Sequence, residues 1–448
     1  MKRYEIYKDS GIQWVGEIPS HWDVVKTSYL FDDIGSGTTP NTNDDSLYDT
    51  DNGINWLQTG DLNDGHITKT SKKISQKAIE GNGTLRLYPI NSLVIALYGA
   101  TIGKVGVLDI ESTTNQACCV LPPSDKISTD FAYYIFLASK EALLNLASGG
   151  GQPNISQAII KNHRIPYPSY AEQQSIVSFL ENKVSQIDAT IAEKEQMLED
   201  LKNYRSAIIS EAVTKGLDKN VEMKDSGIEW LGMIPKHWGL VKLKNKAKVN
   251  GRIGFRGYTT ADLVPKGQGA YTIGGKHITN CVIDLSNPDF ISWDKYYESP
   301  EIMVKKGDIL MAQRGSLGKA ALVREDIGDA TINPSLVLLN SIAMNEVFLY
   351  YYLVSSSCLA YIDLLNTATA VPMISQNQIE NIFVPIPSGK EQIQIADYLD
   401  RKTKEIDETT IMVSTQISDL KSYKSALITE AVTGKIDLRE WKSKEENV

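Results

Sequence analysis

The chain has 448 residues and a net charge of −9, with 42% hydrophobic and 23% charged residues. This composition excludes a disordered chain, and the length exceeds one ordinary core, so several domains are expected. No apolar run of about 18 residues and no signal-peptide core are present, which predicts a cytoplasmic protein without membrane attachment. The four cysteines and five histidines lack metal-ligand spacing, which predicts reduced thiols and no metal site.

An internal repeat organises the chain. The segment Lys8–Trp22 recurs almost unchanged as Lys224–Trp238, and Tyr204–Thr214 recurs as Tyr423–Thr433. The chain is therefore two tandem copies of a module of about 220 residues. The interiors, residues 30–90 and 246–300, align poorly. Two copies with similar sequences at their ends and different sequences in their interiors are expected to share a scaffold and to recognise different targets.

The first part of each copy predicts β-structure. Apolar and β-branched runs bounded by Gly, Asn and Asp predict strands; they are Ser92–Tyr98, Gly106–Leu108, Asp308–Ala312 and Ala320–Val323. Helical spacing of Tyr, Leu and Ala predicts short helices around residues 129–146 and 344–365.

A heptad pattern follows in each copy. Residues 171–214 contain neither Pro nor Gly, and apolar residues recur at seam positions that Lys194 and Arg205 interrupt. The predicted seam residues are Val184, Ile187, Ile191, Leu198 and Leu201 in the first copy, and Leu399, Ile406, Val413, Leu420 and Leu427 in the second. The short link Lys215–Met223 leads from the end of the first helix into the second copy. The connectivity therefore predicts antiparallel helices, with the β-rich domains at opposite ends of a rod.

These patterns predict an α+β fold. Two β-rich domains are joined by two long antiparallel coiled-coil helices, in a pseudo-two-fold tandem repeat. The predicted bounds are 1–168 and 217–387 for the β-rich domains, 169–216 for the central helix, and 388–448 for the distal helix and tail.

Several duplicated strings resemble one known family, the specificity subunit of type I restriction–modification systems. The resemblance covers essentially the whole chain. Its carriers are Gly11–Trp22 with Gly227–Trp238, Gly37–Pro40, Gly99–Lys104 with Arg314–Lys319, Pro153–Ser156, Ile165–Pro168 and Glu172–Gln174 with Val384–Pro387 and Glu391–Ile393, and Thr433–Asp437.

The resemblance implies that each β-rich domain is a target-recognition domain that reads half of a bipartite site in double-stranded DNA, with the helices as a ruler. It also implies two methyltransferase subunits and two ATP-dependent restriction subunits as partners. S-adenosylmethionine, ATP and Mg²⁺ are then expected in those partners, and no cofactor in this chain.

The motifs of the corresponding enzymes are missing. The adenine methyltransferase loop needs Asn/Asp-Pro-Pro-Tyr/Phe, whereas Pro122-Pro123 lies between Leu121 and Ser124. Gly99–Lys104 has three residues between its glycines instead of four, and Val105 follows, so it is not a phosphate-binding loop. The sequence predicts a non-catalytic subunit, although the many carboxylates leave a nuclease cluster open as an alternative.

Cations and hydroxyls on loops are the predicted DNA contacts. Residues 236–256 hold seven Lys and Arg and no acid. The alternating lysines at 242–248 fit a solvated strand equally well, whereas the glycine-containing loop that follows favours DNA contact. The candidates are Arg252, Arg256, Tyr258 and Thr259 in this loop, Thr38, Thr39 and Asn41 in its counterpart, Lys104, Arg314 and Lys319 in two glycine-containing hairpins, and Lys276. An exposed lysine at a turn is the alternative for Lys104 and Lys319.

The acidic total is at first sight unfavourable for a DNA-binding protein, but acids cluster in the helices, which predicts a locally positive DNA face. A coiled-coil scaffold that displays two protein- or carbohydrate-binding domains is the alternative function. The basic, hydroxyl-rich loops favour DNA.

Overall fold

The computed structural model describes residues 2–49, 52–147, 153–252, 254, 257–279, 281–366 and 371–441. The chain divides into two compact units, Met1–Glu195 with Thr415–Val448, and Gln196–Ser414. Each unit combines the β-rich part of one copy with parts of both long helices.

The first copy begins with short strands and continues into a long helix. Its strands are β1 (Tyr7–Asp9), β2 (Glu17–Pro19), β3 (Asp23–Lys26), β4 (Gly35–Ser36), β5 (Ile54–Leu57), β6 (Gly65–Ile67), β7 (Lys73–Ile74), β8 (Leu93–Ala96), β9 (Val105–Leu108), β10 (Thr113–Thr114), β11 (Cys118–Leu121) and β12 (Arg164–Tyr167). Its helices are α1 (Thr27–Leu30), α2 (Gln76–Glu80), α3 (Thr129–Ala138), α4 (Lys140–Asn145), α5 (Gln157–Asn162) and α6 (Tyr170–Lys215).

The second copy repeats this order of elements. Its strands are β13 (Met223–Asp225), β14 (Met233–Pro235), β15 (Gly239–Lys242), β16 (Lys248–Gly251), β17 (Gly269–Ile273), β18 (Ile278–Thr279), β19 (Val282–Ile283), β20 (Asp289–Ser292), β21 (Ile309–Ala312), β22 (Ala320–Leu322), β23 (Ala330–Ile332), β24 (Leu336–Asn340) and β25 (Phe383–Ile386). Its helices are α7 (Trp293–Tyr297), α8 (Glu346–Leu353), α9 (Ser356–Leu365), α10 (Gln376–Glu380) and α11 (Gly389–Val432).

The two copies share most of their sheet topology despite their dissimilar interiors, but β6, which pairs in parallel with β9, adds a fifth strand that the described residues of the second sheet lack. The first has a five-stranded sheet, β4-β11-β8-β9-β6, and a three-stranded sheet, β10-β5-β7. The second has the sheets β16-β24-β21-β22 and β20-β17-β23 at the matching places. The parallel pairs β5–β10 and β17–β23 also correspond. Residues 30–90 and 246–300 therefore build several equivalent strands from different residues.

The second copy's core shows why its strands are apolar throughout. Along β21, Ile309 and Met311 pack in the cluster that contains α8 and parts of the long helices, whereas Leu310 and Ala312 pack against the three-stranded sheet. Successive side chains of a strand point to opposite faces, and here both faces are covered. A continuous apolar run therefore marks a fully buried strand.

The two long helices lie where the heptads predict them, and cross-helix contacts give their direction. In the first unit, Lys424 Nζ lies 2.6 Å from Asp188 Oδ1, and Lys194 Nζ lies 2.7 Å from Gln416 Oε1. In the second, Arg205 Nε donates to Asp407 Oδ1 at 3.2 Å, and Ile395, Leu399 and Ile406 pack with Ile208, Ile209 and Ala212. Numbering rises along one helix as it falls along the other, so the paired segments are antiparallel in each unit. The predicted fold class is confirmed.

The predicted seam residues are buried to different extents. Ile187, Ile191, Leu399, Ile406, Val413 and Leu427 are buried. Val184, Leu198, Leu201 and Leu420 are half-buried. Lys194 and Arg205, which interrupt the apolar pattern, both donate to the facing helix.

The alternating lysines at 242–248 do not lie on a single strand, which is one of the two interpretations of their pattern. β15 ends at Lys242, a 3-10 turn spans Leu243–Asn245, and β16 begins at Lys248. Leu243 is fully buried, and the turn forms where this side chain enters the core. Lys242 Nζ lies 5.8 Å from the centre of the Phe383 ring. The chain therefore changes direction where strict alternation predicted a straight strand.

Within the described ranges, no helix alone has the length and apolar composition to cross a membrane; only α8 and α9, taken together across a 58° bend, meet both criteria.

Candidate nucleic-acid interface

In the first copy, one edge of the five-stranded sheet gathers several loops. Pairing places Ser36 next to Cys119, Cys118 next to Ala96, and Ile95 next to Val105. The end of β4, the end of β8 and the beginnings of β9 and β11 therefore meet at one edge. The segment with Thr38, Thr39 and Asn41 leaves from this edge, and Lys104 directly precedes β9.

Polar contacts fix the loop that follows β4. Thr39 Oγ1 donates to Gln116 Oε1 at 2.6 Å, and Trp56 Nε1 donates to the carbonyl of Thr38 at 3.2 Å. Gly37 N donates to Thr114 Oγ1, and a Cβ at Gly37 would lie 1.7 Å from the Thr114 carbonyl oxygen. Only glycine fits this close approach. The loop thus presents Asn41 and the Thr39–Gln116 pair to solvent.

The second copy gathers its candidates at the equivalent edge. Arg252 follows β16, while Arg314 and Lys319 lie in the turn between β21 and β22. Lys276 follows Gly275, whose N–H donates to Ser335 Oγ at 3.2 Å, just before β24. Arg314, Lys319 and Lys276 are exposed. Lys319 occupies the place of Lys104, since each residue directly precedes the returning strand of its hairpin.

Arg252 differs from the other candidates because it is only 6% exposed. Its Nε donates to the Ile332 carbonyl at 3.2 Å, its Nη2 donates to Thr331 Oγ1 at 3.1 Å, and its guanidinium lies 5.4 Å from the Tyr258 ring centre. Burial lowers the pKa of Arg252. In this conformation the guanidinium holds the loop on the sheet. Arg256 lies outside the described residues.

Three further candidates have local partners. The hydroxyl of Tyr258 accepts from Thr272 Oγ1 at 3.3 Å. Thr259 Oγ1 accepts from Ala261 N and so caps a 3-10 turn. Lys276 Nζ lies 2.7 Å from Asp289 Oδ2, although 59% of the lysine side chain is exposed. Thr259 and Lys276 nevertheless remain accessible at the surface.

Three polar residues at these edges are not among the predicted contacts, namely Gln116, Asn333 and Ser335. Asn333 Oδ1 accepts from Ser335 N at 2.9 Å, and Asn115 Oδ1 accepts from Ala117 N at 3.1 Å in the same place of the other copy. The backbone of each asparagine also donates to the end of the neighbouring central strand. The recurrence of an asparagine three residues before each buried strand is the signal in the sequence that indicates these positions.

A second cluster in each copy joins the repeated opening motif to the start of the long helix. Glu172 Oε1 accepts from Trp22 Nε1 at 3.3 Å and lies 2.9 Å from His21 Nε2. In the second copy, Glu391 Oε1 accepts from Trp238 Nε1 at 3.1 Å and lies 2.8 Å from His237 Nε2.

The pKa values of both glutamates reflect these contacts. Burial acts to raise the pKa of each carboxyl, but hydrogen bonds from the serine, histidine and tryptophan around it outweigh burial. The pKa of Glu172 is therefore lowered, and that of Glu391 is lowered to about 2. Both are carboxylates at neutral pH and serve as hydrogen-bond acceptors.

The next residue of each helix makes a matching contact. Gln173 Oε1 accepts from Ser128 N at 2.9 Å, and Gln173 Nε2 donates to the Pro168 carbonyl. Gln392 accepts from Asn345 N at 2.9 Å and donates to the Pro387 carbonyl. Each Glu-Gln pair thus fastens the first turn of a long helix to its own β-rich domain.

Among the described residues, no group of three or more His, Cys, Asp or Glu side chains could hold a metal ion. Burial raises the pKa of the Cys119 and Cys358 thiols to about 12. These two thiols are therefore protonated at neutral pH and poorly nucleophilic.

Comparison with known proteins gives the family. The model of the type I restriction modification DNA specificity domain matches residues 19–200 and 281–414. The chain belongs to this family. The matched residues lie in both copies, and the resemblance inferred from the duplicated motifs is confirmed.

Relatives in the DNA specificity family match nearly the whole chain. The type I restriction enzyme MjaIX specificity subunit of Methanocaldococcus jannaschii is 24% identical over 95% of this chain and 96% of its own length. The EcoKI specificity subunit of Escherichia coli is 21% identical over 94% and 90%.

Solved structures support the fold. A chain of a type I R-M system superposes with a TM-score of 0.73 at 15% identity, over 94% of this chain and 99% of that one. The HsdS subunit from Thermoanaerobacter tengcongensis superposes with a TM-score of 0.53 at 16% identity, over 94% and 98%. Members of this family are DNA specificity proteins, and sequence recognition is the function of the chain at this level.

Proposed function

We propose that this specificity subunit recognises a bipartite site in double-stranded DNA, with one half-site for each of the domains 1–168 and 217–387. It directs two adenine methyltransferase subunits and two ATP-dependent restriction subunits to that site. S-adenosylmethionine, ATP and Mg²⁺ belong to those partners, and this chain supplies recognition without catalysis. One observation carries the proposal: the same sheet edge in each copy gathers polar and cationic side chains from loops whose residues differ between the copies.

The side chains at the two edges suit different bases. The first edge offers the Gln116 amide, which Thr39 orients, and Asn41. Asn and Gln amides match the major-groove edge of adenine, whereas Arg and Lys match guanine. The second edge offers Arg314 beside Ser335. Different donors at equivalent places account for two different half-sites on one scaffold.

Lysines at a shared position suit the sequence-independent part of binding. Lys104 and Lys319 precede equivalent strands. Phosphate contacts fix register without reading bases, so a cation in the same place of both copies serves this role. The long helices, which each copy fastens by its Glu-Gln pair, set the number of base pairs between the half-sites.

Methylome sequencing with and without the gene tests the proposal. We expect loss of one bipartite adenine motif when the gene is deleted. Replacement of residues 23–165 by the variable region of another family member should change one half of the motif only. Replacement of the equivalent residues 239–384 is the matched control and should change the other half. If either exchange changed both halves of the motif, the proposal that each domain recognises one half-site would be contradicted.

A further inference from the structure

The second unit contains an open apolar groove where α6 ends. Its volume is about 540 Å³, and Leu217, Met223, Met233 and Tyr398 are among the side chains that line it. All of these residues belong to the second unit. We call this feature the α6-end groove.

Several apolar side chains of the α6-end groove are accessible to solvent. Leu217 is 43% exposed, Met233 is 47% exposed, and Tyr398 is half-buried. Single exposed apolar residues are common, but several around one concavity mark an interaction site. The volume also lies within the range of about 300–1,000 Å³ that is typical of ligand sites.

The first unit shows what fills the equivalent place there. By the repeat, Phe179 corresponds to Tyr398 and Ile436 corresponds to Leu217. Phe179 is only 2% exposed, and the Trp441 ring packs edge-on against it, with 5.6 Å between the ring centres. Ile436 is 4% exposed. The segment 435–441 therefore covers in the first unit the surface that is open in the second.

The difference follows from connectivity. In the first unit two separate segments meet at this place, residues 2–6 before β1 and residues 435–441 after α11; the Asp437 N–H donates to the Lys2 carbonyl. In the second unit one link, residues 216–222, leaves α6 and enters β13. A single segment occupies less space than two, so the space that Trp441 and its neighbours fill in the first unit is open in the second.

We infer that the α6-end groove binds a segment of another polypeptide that presents an aromatic side chain two residues after a basic one. Trp441 supplies the aromatic ring in the first unit. Arg439, two residues earlier, pairs with Asp437 at 2.7 Å. The repeat places Asp218 at the position of Asp437, and Asp218 lies exposed at the groove. This inference concerns protein binding and does not depend on the proposed reading of DNA.

A peptide with the sequence of residues 435–441, fluorescein-labelled at its N-terminus, is the probe. Titration of the full-length chain into the peptide should raise its fluorescence anisotropy to saturation. We expect Met233→Lys to weaken binding about tenfold or more, because apolar contact is lost and a charge enters the groove. Met233 corresponds to Glu17, so a charged side chain is compatible with folding at this place. A peptide with Trp441→Ala should lose affinity to a similar extent.

Met412→Lys is the matched control. Met412 lies on α11, is 59% exposed and does not line the groove, so its replacement should leave binding unchanged. Lack of saturable binding, or equal binding by the Met233→Lys chain, overturns the inference. The peptide could instead replace residues 435–441 of the chain in the first unit. Binding would then persist in the Met233→Lys chain and increase in a chain with Trp441→Ala, and this result would also overturn the inference.

The other possible occupant of the groove is a second copy of this chain, and sedimentation of the chain alone tests it. Dimerisation that Met233→Lys abolishes would assign the groove to a second copy and overturn the inference. The methylated motif of the Met233→Lys strain, measured in parallel, reports separately on DNA reading.

Discussion

Glu172 and Glu391 explain why two distant motifs recur together. Each glutamate, in the first turn of a long helix, contacts the His-Trp end of the opening motif, 151 residues away for His21 and 154 for His237. An acceptor that several donors share is costly to remove, because each donor then loses its partner. Both the opening motif and the Glu-Gln pair are therefore needed to attach a helix to its domain.

We expect Glu391→Gln to reduce the acid sensitivity of the second unit. The folded-state pKa of Glu391, about 2, lies below its ordinary value, so this carboxylate stabilises the fold above about pH 4.5 and loses that contribution as the pH falls towards 2. Since the side chain is partly exposed, screening limits the effect to the order of 1 kcal/mol. Urea midpoints between pH 5 and 2.5 measure it.

Glu193→Gln, on an exposed part of α6, is the control for this measurement and should retain the wild-type pH dependence. The same dependence in Glu391→Gln as in wild type would argue against a stabilising carboxylate.

His163 is predicted to destabilise the first unit in mild acid. It is 7% exposed, stacks on Trp14 and packs beside Phe136, and burial lowers its pKa to about 4. Between pH 6.5 and 4 the unfolded chain binds a proton that the folded chain excludes. The free energy of unfolding therefore decreases as the pH decreases, by up to about 1.4 kcal/mol per pH unit.

The repeat supplies the matched substitution, because Ile382 occupies the position of His163 in the second copy and is fully buried. His163→Ile should flatten the pH dependence between 6.5 and 4 in thermal unfolding followed by circular dichroism. An unchanged slope would show that other groups cause it.

At the scale of elements, the sequence predicted the parts with strong local signals. The heptads predicted both bounds of α6 and the beginning of α11 to within a few residues, because helix periodicity over more than 40 residues without Pro or Gly is unambiguous. The buried runs of β8, β9, β21 and β22 were likewise predicted, since an apolar run between turn residues marks a covered strand.

The strands of the variable interiors were not predicted, because they are short and pair with distant parts of the chain. β5 pairs in parallel with β10, where Thr113 lies opposite Trp56. Arg252 illustrates the same limit at the candidate site: its burial depends on Thr331 and Ile332, which local patterns around Arg252 do not contain. Loops were predicted around the candidate residues, whereas their place at the sheet edge and the orientation of their side chains depend on tertiary contacts.

Two equivalent ion pairs join the long helices, and we expect a small favourable coupling in each. Arg205 pairs with Asp407 at 3.2 Å and Lys424 pairs with Asp188 at 2.6 Å, and the repeat relates the two pairs. Their side chains are partly exposed, so a double-mutant cycle with alanine should give about 0.2–1 kcal/mol for each. Chemical unfolding of the single and double variants measures this coupling. A coupling of zero in both cycles would show that these two ion pairs do not stabilise the helix pair.

At the scale of the molecule, the net charge of −9 opposes a DNA ligand, while candidate cations lie at the sheet edges. We expect the isolated chain to bind DNA weakly and with strong salt dependence, and partner subunits to supply further phosphate contacts. Lys319→Ala should lower the slope of log affinity against log salt by about one in the assembled complex. Ser316→Ala, in the same turn, is the uncharged control. Binding that is tight, insensitive to salt and indifferent to sequence would contradict this account.

The last prediction concerns the spacer between half-sites. Lys194 faces Gln416 in the helix pair, so a heptad inserted after Glu195 together with another before Thr415 preserves the facing register of the seam. Seven residues add about 10 Å to each helix, and DNA rises about 3.4 Å per base pair, so the spacer should lengthen by up to about three base pairs. The half-site sequences should stay unchanged, because neither sheet edge is altered. Insertion in α6 alone shifts one helix against the other and should reduce assembly or activity instead. Methylome sequencing reads both outcomes, and an unchanged spacer in the doubly extended chain would show that the helices do not set it.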